Sequence, residues 1–167
     1  DTLQLDGSLD TTAHSNPDKE WDIDDLVAMG KLGGTKIMIM LGGWGSDKGF
    51  AEAAATPEAR LKLANSLVNY CQAHGLAGVD FDWEFPENAT QFADYELLMQ
   101  VTRAEFDRVD LLLTSAIGTS HYDSFTEATY TYLDWINIMA YDEHWTQSGR
   151  SMGGNHAPTH IQEKHYP

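Results

Sequence analysis

The apolar positions of this chain change period several times, and each change marks an element. Residues 1–20 are polar and turn-rich (Asp6-Gly7, Asn16-Pro17-Asp18), and they read as a loop with a short hairpin around Thr2–Leu9. Asp22 or Asp24 can cap a helix that runs to about Lys31 and stops at Gly33-Gly34. Lys36-Ile-Met-Ile-Met-Leu41 is a continuous apolar run, the pattern of a strand covered on both faces. Thr56-Pro57-Glu58 opens a helix with proline in its first turn. Leu61, Leu63, Ala64, Leu67, Val68 and Cys71 give that helix its apolar stripe, and Gly75 ends it.

The second half repeats the alternation. Ala77 to Pro86 reads as a strand, and Asn88 to about Val109 as an amphipathic helix with Phe92, Tyr95, Leu98, Met99, Val101 and Phe106 inward. Leu111–Ile117 is a strand, Ser124 to about Leu133 a short helix, and Trp135–Tyr141 the last strand. Residues 143–167 are polar and read as loop. Helices alternating with apolar strands predict an α/β fold with a parallel sheet and helices outside it. A closed barrel of eight such units takes ~250 residues. Four strands in 167 residues therefore mean either an open sheet or a partial barrel of the TIM type.

The chemistry concentrates in one strand. Along Ala77-Gly-Val-Asp-Phe-Asp-Trp-Glu-Phe-Pro86, the alternation puts Gly78, Asp80, Asp82 and Glu84 on one face and Val79, Phe81 and Trp83 on the other. Successive carboxylates on that face lie about 7 Å apart. Like charges this close raise at least one pKa, and a raised carboxyl is a candidate general acid near neutral pH. A solvated acidic face explains the run poorly, because the intervening residues are apolar β-formers.

Composition narrows the partners. With 26 acidic and 10 basic residues the net charge is −16, which repels nucleic acid and anionic lipid and leaves a neutral polymer unaffected. No apolar run reaches the ~20 residues of a membrane span. No signal peptide is visible and Asp1 is not an initiator residue, so the chain reads as a processed or excised piece. Cys71 is the only cysteine, so no intrachain disulfide forms, and its place in a helical stripe makes it a buried small hydrophobe.

Gly78-Val-Asp80-Phe-Asp82-Trp-Glu84-Phe-Pro86 resembles the Asp-Gly-x-Asp-x-Asp-x-Glu signature of family 18 glycoside hydrolases, the chitinase family. Gly42-Gly43-Trp44 looks like the family's Ser-x-Gly-Gly motif with Met40 in place of Ser, although two glycines also simply make a tight turn. Met139-Ala-Tyr141-Asp142 looks like its Met-x-Tyr-Asp motif. Each motif falls at the carboxyl end of a strand, where parallel α/β sheets collect their function. The resemblance implies a single, partial catalytic domain over residues 1–167, covering about the third to sixth barrel strands.

The resemblance further implies hydrolysis of β-1,4-linked N-acetylglucosamine polymers or oligomers, with no metal or organic cofactor. Glu84 would protonate the glycosidic oxygen, and the substrate's own acetamido oxygen would attack, as in substrate-assisted families. Asp82 would hold the acetamido N–H, Asp80 would share a proton with Asp82, and Tyr141 would position the acetamido oxygen. Asp142 and Met139 would line the sugar-binding floor beside Gly43, with Trp44 and Trp145 as stacking rings. A secreted or extracellular setting follows from the same likeness. The alternatives are a non-catalytic, lectin-like chitin-binding module and an endo-β-N-acetylglucosaminidase acting on N-glycans.

Two departures stand out. Ala77 occupies the position of the signature's first Asp, and Met40 removes a hydroxyl that would hydrogen-bond Asp80. His144, His156, His160 and His165 lack the compact spacing of structural zinc. The open side of a partial barrel, around Met38, Met40 and Leu112, predicts either a homo-oligomer that covers it or a longer natural chain that supplies the missing strands.

Overall fold

The computed structural model describes residues 2–4, 8–10, 22–141, 146–147 and 150–151. Its centre is a four-stranded, wholly parallel sheet in the order β3-β4-β5-β6: β3 (Ile39–Gly42), β4 (Gly78–Asp82), β5 (Leu112–Gly118) and β6 (Trp135–Met139). The expected hairpin is present as β1 (Thr2–Leu3) paired antiparallel with β2 (Leu9–Asp10), and Leu3 is buried in the main core. A second hairpin, β7 (Thr146–Gln147) with β8 (Arg150–Ser151), falls where the sequence reads as loop.

The helices begin and end where the local chemistry directs. Asp22 caps α1 (Ile23–Gly33): its side chain accepts from the backbone N–H groups of Asp24 and Asp25, and Asp25 returns a bond to the N–H of Asp22. Thr56 accepts from Ala59 N–H at the start of α3 (Pro57–His74), and Asn88 from Gln91 N–H at the start of α4 (Ala89–Phe106). α4 stops at Phe106, three residues before the expected Val109. The last helical segment divides into a 3-10 turn (Tyr122–Ser124) and α5 (Glu127–Thr131).

Three differences from the sequence reading have clear causes. β3 starts at Ile39 rather than Lys36, since Thr35 N–H still bonds back to Gly30 at the end of α1. A six-residue helix, α2 (Phe50–Ala55), precedes α3; it is too short to display a helical period, and it buries Phe50, Ala53 and Ala54. On α3, Leu61 is exposed and Arg60 is buried in its place. The Arg60 guanidinium donates to the carbonyl of Ala54 at 2.5 Å and pairs with Asp94 at 2.7 Å, so a charge occupies an apolar position with its hydrogen bonds satisfied.

The outer face of the sheet packs under the helices. Leu41, Val79, Phe81 and Leu113 are fully buried there with Leu63, Leu67, Leu98 and Met99. Trp83 stacks on Phe50 with ring centroids 5.3 Å apart and meets Tyr95 at 6.0 Å, which makes it a core residue as the alternation predicts. Cys71 is fully buried, and burial pushes its thiol up to about 12. β6 is different: Trp135, Ile136 and Ile138 are all exposed, so its apolar side chains have little cover on either face.

Candidate active site

β3, β4 and β5 lie in register, and this builds the site. Met40, Asp80 and Thr114 form one row across the inner face, and Gly42 stands opposite Asp82. Gly42 has φ 104°, and a Cβ there would lie 2.2 Å from the Asp82 carbonyl oxygen, so only glycine lets the strands close up beside Asp82. The chain then turns at Gly43, whose N–H donates to the same carbonyl at 2.8 Å.

Asp80 and Asp82 occupy unlike environments. Oδ1 of Asp80 accepts from the Thr114 hydroxyl of β5 and, at 3.0 Å, from the Asn137 amide of β6. Asp82 is 5% exposed, and its Oδ1 is buried without a hydrogen-bond partner among the described residues. Its pKa is pushed up from 3.8 to about 6, first by burial, then by the charge of Glu84 and that of Asp80. One carboxyl on this face is raised, as the strand pattern predicts, but burial is the first cause and the neighbouring charges of Glu84 and Asp80 come after it.

Glu84 lies two residues past Asp82, just beyond the end of β4, and is partly exposed. The Glu84–Phe85 peptide bond is cis. The Phe85 ring stacks on His121 of the loop after β5, with centroids 4.0 Å apart. Behind the strand, Tyr95 of α4 bonds Ser115 Oγ at 2.7 Å, and Ser115 donates to the Phe81 carbonyl at 3.0 Å. This ties the helix layer to β4 directly beneath Asp82.

The other expected site residues divide. Gly43 is brought against Asp82, and the position of a Cβ on Gly43 would be 3.8 Å from Asp82 Oδ2. Trp44 follows it and is 82% exposed. Met139 ends β6 opposite Gly118. Tyr141 lies two residues beyond that strand rather than within it, and is half exposed. Asp142, Trp145 and the four histidines His144, His156, His160 and His165 lie outside the described residues. Among the described residues, no group of three His, Cys, Asp or Glu side chains could hold a metal ion. Thr114 and Asn137 were not singled out by the sequence reading. Their signal is a polar residue inside an apolar strand, in phase with the carboxylate face.

The comparisons with known proteins fit this arrangement. The family model described as glycosyl hydrolases family 18 matches residues 6–166. The chain belongs to that family. Chitinase 1 of Aphanocladium album is 34% identical over 118 residues, which cover 64% of this chain and 28% of the relative. The Group IV chitinase of Ostrinia furnacalis, solved in complex with allosamidin, superposes with a TM-score of 0.86 at 21% identity over 99% of this chain and 47% of that one. Catalytic domain 2 of the Group II chitinase of Ostrinia furnacalis, solved with penta-N-acetylchitooctaose, superposes at 0.67 with 24% identity, over 72% of this chain and 35% of that one. The family 18 fold of these neighbours is the TIM-type α/β barrel, and the four parallel strands of this chain correspond to part of it. The chain spans less than a third of the length of Chitinase 1.

Proposed function

We propose that residues 1–167 form a single, partial catalytic domain of a chitinase-like glycosidase that hydrolyses β-1,4-linked N-acetylglucosamine chains with retention. The observation that carries the reading is the carboxylate face itself: Asp82, buried at the end of β4 beside the charges of Glu84 and Asp80, is pushed up to about 6, first by that burial and then by those charges. Such a cluster keeps a proton available while leaving negative charge to stabilise a developing cation.

In this reading Glu84 protonates the leaving glycosidic oxygen from the rim of the sheet. The substrate's acetamido oxygen attacks the anomeric carbon and gives an oxazolinium, so no enzyme carboxylate bonds to the sugar. Asp82 holds the acetamido N–H and shares a proton with Asp80, and Tyr141 positions the acetamido oxygen. Gly43, Trp44, Met139, Asp142 and Trp145 line the sugar site. The complexes of two structural neighbours with allosamidin and with a chitooligosaccharide support the substrate class. A secreted or extracellular setting is part of the same proposal, and among the described residues no helix is long and apolar enough to cross a membrane.

Proton NMR of the first product formed from a chitooligosaccharide tests the mechanism. The β anomer is expected, together with inhibition by a thiazoline mimic of the oxazolinium. An α product would overturn it.

A further inference from the structure

The row that contains Asp80 is lopsided. On the β3 side its neighbour is Met40, whose thioether side chain carries no N–H or O–H. On the other side two donors converge on the same oxygen: the Thr114 hydroxyl, and the Asn137 amide at 3.0 Å. The register explains how both reach it. Thr114 pairs directly with Asp80, while Asn137 pairs with Ala116, two residues further along the same face of β5. Two bonds to one oxygen fix the rotation of the carboxylate, and hydrogen bonds to an ionised acceptor are about twice as strong as neutral ones.

We propose that Thr114 and Asn137 are positioning residues of this site: their two hydrogen bonds fix the orientation of the Asp80 carboxyl group beside Asp82. The consequence for turnover rests on the hydrolytic reading above; the geometry rests on the two hydrogen bonds alone. Burial is the first cause that raises Asp82, and the charges of Glu84 and then Asp80 add to it, so Asp80 is one of the neighbours whose placement Asp82 feels. The other titratable groups that act here are Glu84, beyond the strand end, and Tyr95 on α4, which responds to the charges of both aspartates.

The test follows the Asp82 carboxyl by carbon-13 NMR against pH in the full 167-residue chain, comparing wild type with Thr114→Val, Asn137→Ala and Thr114→Ser. An Asp80 side chain no longer held by both donors is free to turn away from Asp82 and repel its charge less, so the Asp82 midpoint is expected to fall by more than about half a unit in Thr114→Val and in Asn137→Ala. Thr114→Ser, which keeps the hydroxyl, restores it. In Thr114→Val and Asn137→Ala kcat on a fluorogenic chitobioside falls by about 10-fold with KM little changed, and Thr114→Ser keeps the wild-type kcat. Asn137 is exposed, so its variant keeps the fold even if the buried Thr114 change does not. Wild-type midpoints in both Thr114→Val and Asn137→Ala would overturn the inference. A wild type with no turnover would overturn the hydrolytic reading instead, and the NMR midpoints would still decide the positioning.

Discussion

The backbone N–H of Gly43 donates to the carbonyl oxygen of Asp82 at 2.8 Å. This bond fastens the loop leaving β3 to the end of β4, so the position of the most perturbed carboxylate depends on two glycines of the neighbouring strand. Gly42 comes closest, with its φ of 104° and its missing Cβ directed at the same carbonyl.

Gly42→Ala is therefore expected to damage both fold and site. Left-handed backbone costs a non-glycine residue about 1–3 kcal/mol, and the collision with backbone adds to that. Chemical denaturation should show a loss of more than about 2 kcal/mol. A variant as stable as wild type would mean that the two strand ends can separate freely.

The pH dependence of stability should carry the mark of Asp82. Its folded-state value of about 6 lies above the ordinary 3.8, so between these values the folded chain binds a proton that the unfolded chain releases. The stability this group contributes is present below about pH 4 and is lost as pH rises through about 6. Asp82→Asn should then be more stable than wild type at pH 7, by on the order of 1–2 kcal/mol after allowance for solvent screening, with the difference vanishing near pH 3.5. Urea titrations at the two pH values measure it. Equal stability of the two proteins at pH 7 would show that Asp82 is not strained when charged.

Much of this was legible in the sequence for identifiable reasons. The caps at Asp22, Thr56 and Asn88 are local, so the helix starts could be read directly. The alternation of Val79, Phe81 and Trp83 against Asp80 and Asp82 could be read because one side of β4 is packed and the other carries charge. Arg60 could not be read as buried, since its place depends on Asp94, which is 34 residues away. Helix α2 gave too few residues to show a period. Asn137 could not be connected to Asp80 without the register of two intervening strand pairs.

The exposed strand β6 makes a prediction about association. Trp135, Ile136 and Ile138 are 47%, 37% and 45% exposed, and among the described residues no strand pairs with the far edge of β6. Uncovered apolar surface beside an open strand edge favours pairing with another chain. Light scattering on this 167-residue chain should show self-association that grows with concentration, together with binding of a dye for apolar surface. A monodisperse monomer that binds no dye would contradict this.

The measurement that bears most directly on Glu84 is hydrolysis of a fluorogenic chitobioside by wild type and Glu84→Gln side by side, with oligosaccharide binding measured in parallel. The amide matches the carboxyl in shape and cannot give up the proton, and general acid catalysis is worth about 10²–10⁴-fold. The account predicts turnover in wild type, a loss of that size in Glu84→Gln, and oligosaccharide binding in both. Near-wild-type turnover in Glu84→Gln would contradict it.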